Sequence, residues 1–348
     1  MSLEFNGAEV DLQLTEKRRE WKPKALVLLS GGLDSMLAVR LMLKQAVEAE
    51  AVHFRTPFSG QDAMFVERFC RDLGIKLHTI TLEDEFLEVV VAPRHGHGSQ
   101  MNPCIDCRIL ELKKAKELAE KIGAEFLVTG EVLGERPFSQ RKDVILHIER
   151  EAGLEGKVLR PLSAKLLPET EPEKKGYINR EKLMAIEGRR RTPQIALAKE
   201  LGIVEYPNPA GGCLLTEPRF ADRLREHLGH EEGLTAFDVE LLRIGRHFRV
   251  GNAKVVVGRN EKENEKLQSI AKTNRNVSTL EVKDHMSPTT VVVGEANAET
   301  IGKAAAITVR YSDAPKDVSV ALGYNGADGN RDVNAVAMSD DELRQYSI

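Results

Sequence analysis

The sequence has few cysteines, no long apolar run and no strong excess of charge. Four cysteines among 348 residues are too few for the disulfide framework that holds small secreted proteins together. No apolar run approaches the about 20 residues that span a bilayer, and residues 1–24 lack the apolar stretch of a signal peptide. We therefore expect a cytoplasmic protein with no membrane association.

The balance of charge excludes a uniformly basic surface. The net charge is −4, so any contact with nucleic acid must depend on local clusters of Lys and Arg. Such clusters occur at residues 17–19, 189–191 and 242–249. We expect the second to attract a polyanionic substrate and the third to place cations against phosphates, although each cluster is also typical of a solvated surface.

The length of the chain and the order of its patterns predict two domains, because 348 residues exceed what one hydrophobic core usually organises. From residue 24 onward, apolar runs typical of strands alternate with helical patterns, which indicates a parallel, doubly wound α/β sheet. Beyond residue 235, short β-rich pieces are separated by Gly and Asn. We predict an N-terminal arm (1–23), an α/β domain (24–234) and a smaller C-terminal mixed α/β domain (235–348).

A glycine-containing loop follows the first apolar strand. Residues 25–29 lead directly into the segment Ser-Gly-Gly-Leu-Asp-Ser at 30–35, and a helical pattern follows. Free glycine amides, a helix start and two hydroxyls together form an anion-binding nest. The spacing matches neither G-x-x-x-x-G-K-[ST] nor G-x-G-x-x-G, so this is a different phosphate loop. Asp34 is suited to bind Mg²⁺ beside the phosphates. The alternative is a turn whose Ser and Asp side chains only cap a helix.

Three cysteines are candidates for chemistry. Cys104 and Cys107 open a helical run after Pro103, and thiols at a helix N-terminus hold more of the reactive thiolate form. Cys213 follows paired glycines, which let the backbone pass close to a ligand. The fourth cysteine, Cys70, lies in an apolar helical pattern and is expected in the core.

Four interpretations of the cysteines remain open at this point. The first is a persulfide and disulfide relay, and the second is a cluster held by the three thiolates of Cys104, Cys107 and Cys213. A zinc site that adds His95 and His97 to the Cys-x-x-Cys pair is the third, although its spacing is unusual. Chemically inert thiols are the fourth.

Three motifs resemble known families. The loop at 30–35 resembles that of the PP-loop ATP pyrophosphatases, which cleave ATP between its α and β phosphates and adenylate their substrates. The segment Asn-Pro-Cys-Ile-Asp-Cys at 102–107 is similar to the motif of tRNA-specific 2-thiouridylases, and residues 127–140 look like the corresponding stretch of tRNA 4-thiouridine synthetases. The position of Cys213 matches the second catalytic cysteine of those sulfurtransferases.

The resemblance implies an ATP- and Mg²⁺-dependent tRNA sulfurtransferase. Adenylation makes a carbonyl oxygen of a nucleobase a good leaving group, and sulfur from a cysteine persulfide or a [4Fe-4S] cluster then displaces AMP. The implied partners are tRNA and a sulfur donor protein or sulfide, and a homodimer remains open. The implied cofactor-binding residues are Ser30, Gly31, Gly32, Asp34, Ser35, Gly130 and Glu131. The implied catalytic residues are Asp34, Cys104, Cys107 and Cys213, and the three cysteines are also the implied cluster ligands.

Two other functions compete with this one. A PP-loop amidotransferase or ligase would also adenylate its substrate, but it would act on a small molecule and leave the cysteines unexplained. A non-catalytic nucleotide-binding regulatory module would use the loop alone.

Overall fold

A computed structural model of the chain describes residues 22–60, 63–206 and 213–348. Its contacts group the described residues into two compact units, one drawn from Met1–Leu82 and Pro103–Gly211, the other from Glu83–Asn102 and Gly212–Ile348. The predicted N-terminal arm lies outside the described residues except for its last two. The boundary predicted between residues 234 and 235 stays a prediction, while the contacts place residues 213–234 with the later unit.

The earlier unit contains a five-stranded sheet in the order β3-β2-β1-β4-β5, and all of its neighbouring strands are parallel. The strands are β1 (Lys24–Leu28), β2 (Glu48–Arg55), β3 (Leu77–Thr81), β4 (Phe126–Thr129) and β5 (Val158–Leu159). The helices are α1 (Leu33–Lys44), α2 (Ala63–Leu73), α4 (Cys104–Ile122), α5 (Lys142–Glu151), α6 (Glu171–Lys174) and α7 (Thr192–Glu200), with α3 (Asp84–Val91) belonging to the later unit.

Strand β1 is buried on both faces of this sheet. Ala25 and Val27 pack in one core with residues of α1 and α7, whereas Leu26 and Leu28 pack in the opposite core with residues of α4 and α5. A strand covered by helices on both sides has no solvent face, which is why its sequence is continuously apolar rather than alternating. The predicted parallel α/β fold is confirmed.

The order of the strands reverses at β1, because β2 lies on one side of it and β4 on the other. In open parallel sheets ligands bind beyond the carboxyl ends of the strands at such a switch point. The loops that follow β1 and β4 therefore meet where a ligand is expected.

The later unit contains a six-stranded antiparallel sheet in the order β11-β10-β8-β9-β7-β6. Its strands are β6 (Arg246–Val250), β7 (Ala253–Val257), β8 (Val277–Val282), β9 (Thr290–Val293), β10 (Val320–Gly326) and β11 (Gly329–Ala335). Its further helices are α8 (Pro218–Leu228), α9 (Ala236–Leu242), α10 (Glu261–Thr273), α11 (Ala298–Tyr311) and α12 (Asp340–Tyr346).

Helices α10 and α11 cover opposite faces of this antiparallel sheet. Val256 of β7 packs in one core with Leu267 of α10, while its neighbour Val255 packs in the other core with Ile301 of α11. The later unit is thus a mixed α/β domain with its own core, as expected. Over the described residues, no helix is long and apolar enough to cross a membrane.

Candidate active site

The loop after β1 turns at a glycine in the left-handed region and leads into helix α1. Gly31 has a φ of 86°, a conformation that favours glycine. The Ser35 hydroxyl donates to the carbonyl oxygen of Gly32 at 2.8 Å, and the Ser30 and Ser35 hydroxyls lie 3.3 Å apart. Gly32 occupies the N-cap of α1, and no described side chain caps this helix. The first-turn amides of α1 are therefore left for a ligand, and the alternative of a purely capping turn is not supported.

Gly130, directly after β4, lies against the backbone of this loop. A Cβ atom placed on Gly130 would lie 2.4 Å from the Ser35 nitrogen and 2.6 Å from the Asp34 carbonyl oxygen. Only glycine permits this approach, since real Cβ atoms do not come so close to backbone atoms. Gly130 thus fixes the start of α1 against the end of β4, and its implied role in cofactor binding stays a prediction.

Asp34 does not stand alone at the loop. Arg191 Nη1 lies 2.7 Å from Asp34 Oδ2 and 2.7 Å from Glu135 Oε2, so one guanidinium bridges two carboxylates. Burial raises the pKa of Asp34 and the pKa of Glu135, while Arg191 acts to lower both. Asp34 Oδ1 is buried without a hydrogen-bond partner among the described residues, and such an oxygen can accept a cation. Sequence reasoning had assigned Arg191 to the substrate and had not identified Glu135.

Glu131 is buried between two arginines. Its Oε1 lies 3.2 Å from Arg108 Nε, and its Oε2 accepts from Arg160 Nε at 3.0 Å and from the Thr129 hydroxyl at 3.1 Å. Burial acts to raise the pKa of Glu131, but Arg108 and Arg160 outweigh it and hold the pKa below its ordinary value. Arg160 also pairs with Glu149. The predicted cofactor-binding role of Glu131 stays a prediction, and in the structure its carboxylate holds Arg108 in place.

Arg108 links this cluster to the cysteine helix. Cys104 is the first residue of α4, and Arg108 follows it by four residues, so both lie on the same face. Burial acts to lower the pKa of Arg108, but the negative charges of Glu131 and Glu111 outweigh it and raise this pKa. Arg108 therefore places a permanent positive charge near Cys104 and Cys107. The i,i+4 spacing of Cys104 and Arg108 is the sequence signal from which this placement could have been predicted.

The cysteines differ in environment. Cys104 and Cys107 are half-buried at the start of α4, and Cys213 is exposed and belongs to the later unit. Cys70 is buried as expected, and burial raises its pKa to about 11. Within the described residues, no group of three or more His, Cys, Asp or Glu side chains is arranged to hold a metal ion. The cluster and zinc interpretations each draw on residues of both units, and both stay predictions.

A known protein family matches the part of the chain that contains the loop at 30–35 and the cysteine motif at 102–107. The family described as "Thiamine biosynthesis protein (ThiI)" matches residues 21–165. A "Probable tRNA sulfurtransferase" from Thermoanaerobacter sp. (strain X514) is 37% identical over 119 residues, which cover 32% of this chain and 30% of the relative. The chain is similar to tRNA sulfurtransferases over this region.

A second curated relative and one solved structure are also similar to the chain. The "tRNA-specific 2-thiouridylase MnmA" of Syntrophotalea carbinolica is 33% identical over 124 residues, which cover 32% of this chain and 35% of the relative. The chain thus spans about a third of the length of these curated relatives. A solved structure of a 4-thiouridine synthetase–RNA complex with bound ATP is 25% identical, covers 63% of this chain and 52% of its own, and has a TM-score of 0.39.

The later unit of the sulfurtransferase-like chain matches a different family. The family described as "NFACT protein RNA binding domain" matches residues 245–347.

The contact of Gly130 predicts that Gly130→Ala weakens ATP binding by about 100-fold, because the added methyl group must displace the backbone of Asp34 and Ser35. Isothermal titration with ATP measures the effect. Gly302→Ala is the matched control, because nothing lies within 4 Å of its Cβ position on α11. It should leave ATP binding unchanged and stabilise the protein by about 0.5–1 kcal/mol. Equal ATP affinities for Gly130→Ala and the unaltered protein would show that the contact does not shape the loop.

The carboxylate pair predicts that Arg191→Gln weakens Mg²⁺–ATP binding by about 10- to 100-fold. Because Arg191 lowers the pKa of both Asp34 and Glu135, its removal lets both keep their protons to higher pH. Binding that needs the ionised carboxylates should then be lost at higher pH than in the unaltered protein. Titrations from about pH 5 to about pH 8 measure this shift. The exposed neighbour provides the control Arg190→Gln, and an acid limb that moves equally in both variants would contradict the assignment.

Proposed function

We propose that this protein transfers sulfur to a nucleobase of tRNA in a reaction that converts ATP to AMP and pyrophosphate. One observation carries the proposal: the phosphate loop and the cysteine helix are joined by direct contacts. Gly130 packs on the loop, the next residue Glu131 holds Arg108, and Arg108 lies beside Cys104 and Cys107. Nucleotide activation and sulfur chemistry are thereby supported at one edge of the parallel sheet.

The loop residues suit the triphosphate of ATP. The amides at the start of α1, with Ser30, Gly31, Gly32 and Ser35, can donate to phosphate oxygens. The free oxygen of Asp34 fits a Mg²⁺ ion, and the bound ion would supply charge neutralisation of the departing pyrophosphate. Until the ion binds, Arg191 offsets the negative charge of Asp34 and so limits its repulsion of the phosphates.

The sulfur step follows from the chemistry of cysteine. The terminal sulfur of a persulfide on one of Cys104, Cys107 and Cys213 attacks the adenylated carbon of the base, a C–S bond forms, and the C–O bond to AMP breaks. The thiolate of a second cysteine then attacks the cysteine sulfur of this adduct, which leaves a thiocarbonyl on the base and a disulfide on the protein. A dithiol reductant restores the thiols, and a sulfur donor protein then transfers a sulfane sulfur to one of them, which renews the persulfide. Alternatively, sulfide attacks the disulfide directly, which forms a persulfide on one cysteine and releases the other as a thiol.

The later unit favours RNA as the substrate. Its match to the NFACT RNA binding domain covers residues 245–347, which include all six strands of the antiparallel sheet. Together with the tRNA-modifying relatives of the earlier unit, this match supports tRNA over a small-molecule acceptor.

The first test is release of AMP and pyrophosphate from ATP by anaerobically purified protein with Mg²⁺ and a sulfur source, with and without bulk tRNA. We expect release that depends on tRNA, because adenylation of the base consumes the nucleotide. Release that is independent of tRNA would favour a small-molecule acceptor, and no release under either condition would favour a non-catalytic module.

The cysteine assignment is tested with Cys104→Ser, Cys107→Ser and Cys213→Ser. We expect at least two of the three to lose tRNA thiolation by more than about 1,000-fold while AMP release persists, because adenylation precedes the sulfur step. Mass spectrometry of tRNA nucleosides measures the product. Cys70→Ala is the control, since Cys70 is a core residue and should affect stability alone. Thiolation that survives all three serine substitutions would disprove the relay.

A further inference from the structure

Four arginines of the later unit line one cavity of about 380 Å³. They come from the start of α8, from β6 and from the turn after β7, and are Arg219, Arg223, Arg246 and Arg259. We call this cavity the arginine pocket. Its other lining residues are Asp222, Gly245, His247, Phe248, Tyr311, Ser347 and Ile348. A cavity of this size matches the range of ligand sites, about 300–1,000 Å³.

Two of the pocket arginines, Arg223 and Arg246, are held by uncharged groups. Arg223 donates to the backbone carbonyls of Leu242 and Gly245 at 3.0 Å each. Arg246 donates to the carbonyl of Gly258 at 3.4 Å and lies over the ring of Tyr311 at 4.6 Å. These contacts orient the guanidinium groups through neutral partners and leave their charge for an anion.

Two acids at the pocket are already paired with arginines. Asp222 pairs with Arg225 at 2.6 Å, and Arg259 pairs with Glu263. Burial, followed by the positive charge of Arg259, lowers the pKa of Arg223. A bound anion would relieve this crowding of like charge.

His247 adds a hydrogen-bond acceptor to the pocket wall. Its Nε2 lies 2.7 Å from the carbonyl oxygen of Ile244, which can only accept, so Nε2 carries the proton. Nδ1 is then an acceptor, and it is buried without a partner among the described residues. A ribose 2′-hydroxyl beside a phosphate is a donor that suits it.

We propose that the arginine pocket binds a backbone phosphate of the RNA substrate, with the adjoining ribose directed to His247. The RNA identity of the ligand rests on the proposed function, and the anion specificity rests on the pocket alone. Arg246 and Arg259 lie inside the region that matches the RNA binding domain, whereas Arg219 and Arg223 of α8 lie before it. The site therefore joins that region to a helix that the match does not include.

A second groove of the same unit is less suited to phosphate. This groove, of about 640 Å³, is lined by Lys272, Lys283 and Arg331, but also by Glu281 and Asp332. Lys283 is paired with Asp332 at 2.7 Å, so positive charge here is largely neutralised. It provides a control within the same unit.

The test uses the full-length protein and fluorescence-labelled bulk tRNA, with affinity measured across a series of salt concentrations. The double variant Arg219→Gln/Arg246→Gln should bind roughly tenfold more weakly, and the slope of log K against log salt should fall by about one, because the contacts to one phosphate are removed. Arg344→Gln, on α12, and Lys272→Gln, in the second groove, each remove one positive charge and should leave both quantities unchanged. Thermal unfolding shows that the variants remain folded.

Three outcomes would overturn the proposal. The first is unchanged tRNA affinity in the double variant, and the second is an equal loss in the control variants, which would indicate general attraction by surface charge. The third is equal affinity for DNA of the same sequence, which would remove the assignment to RNA. AMP release measured on the same preparation decides the proposed function separately, because tRNA can bind through these arginines whether or not ATP is cleaved.

Discussion

The candidate site depends on a single buried carboxylate, that of Glu131. A charged group with 4% exposure is stable inside a protein only when it is paired, and removal of one partner of such a pair costs about 3–5 kcal/mol. Arg108 and Arg160 provide the pairing from α4 and from the end of β5. The cluster therefore fixes the loop after β4 relative to the helix that begins with Cys104.

The same loop is fixed a second time, by steric contact. Gly130 precedes Glu131 and touches the backbone at the start of α1. These two consecutive residues therefore fix the positions of two neighbouring segments. On one side is the loop at 30–35, and on the other is the cysteine helix. A pre-organised site requires groups whose positions do not adjust on binding, and here the positions are set by a close backbone contact and a buried ion pair.

Much of the fold was predictable because its cause is local to the sequence. The continuous apolar run of β1, the glycines that follow it and the alternation of strand and helix patterns all reflect nearest-neighbour constraints, and the structure confirms the parallel sheet. The pairing of Arg191 with Asp34 joins residues 157 positions apart, and no spacing rule indicates it. The burial of Arg160 could not be predicted for the same reason. An arginine is expected to be exposed unless a buried acid lies beside it. The segments 1–21, 61–62 and 207–212 were interpreted from sequence alone, and those interpretations remain predictions.

The three basic clusters show why charge counted along a sequence is a poor guide to a binding surface. Residues 17–19 lie outside the described residues, so their cluster remains an expectation. In the second cluster Arg191 turns toward Asp34 and Glu135, because burial makes those carboxylates costly without a cation. In the third, Arg246 meets a backbone carbonyl and an aromatic ring instead. Whether an arginine stabilises the fold or binds a ligand thus depends on which acidic side chains the fold places beside it. A chain with a net charge of −4 can still present a pocket in which arginines outnumber acids, as the four arginines and the single aspartate that line the arginine pocket show.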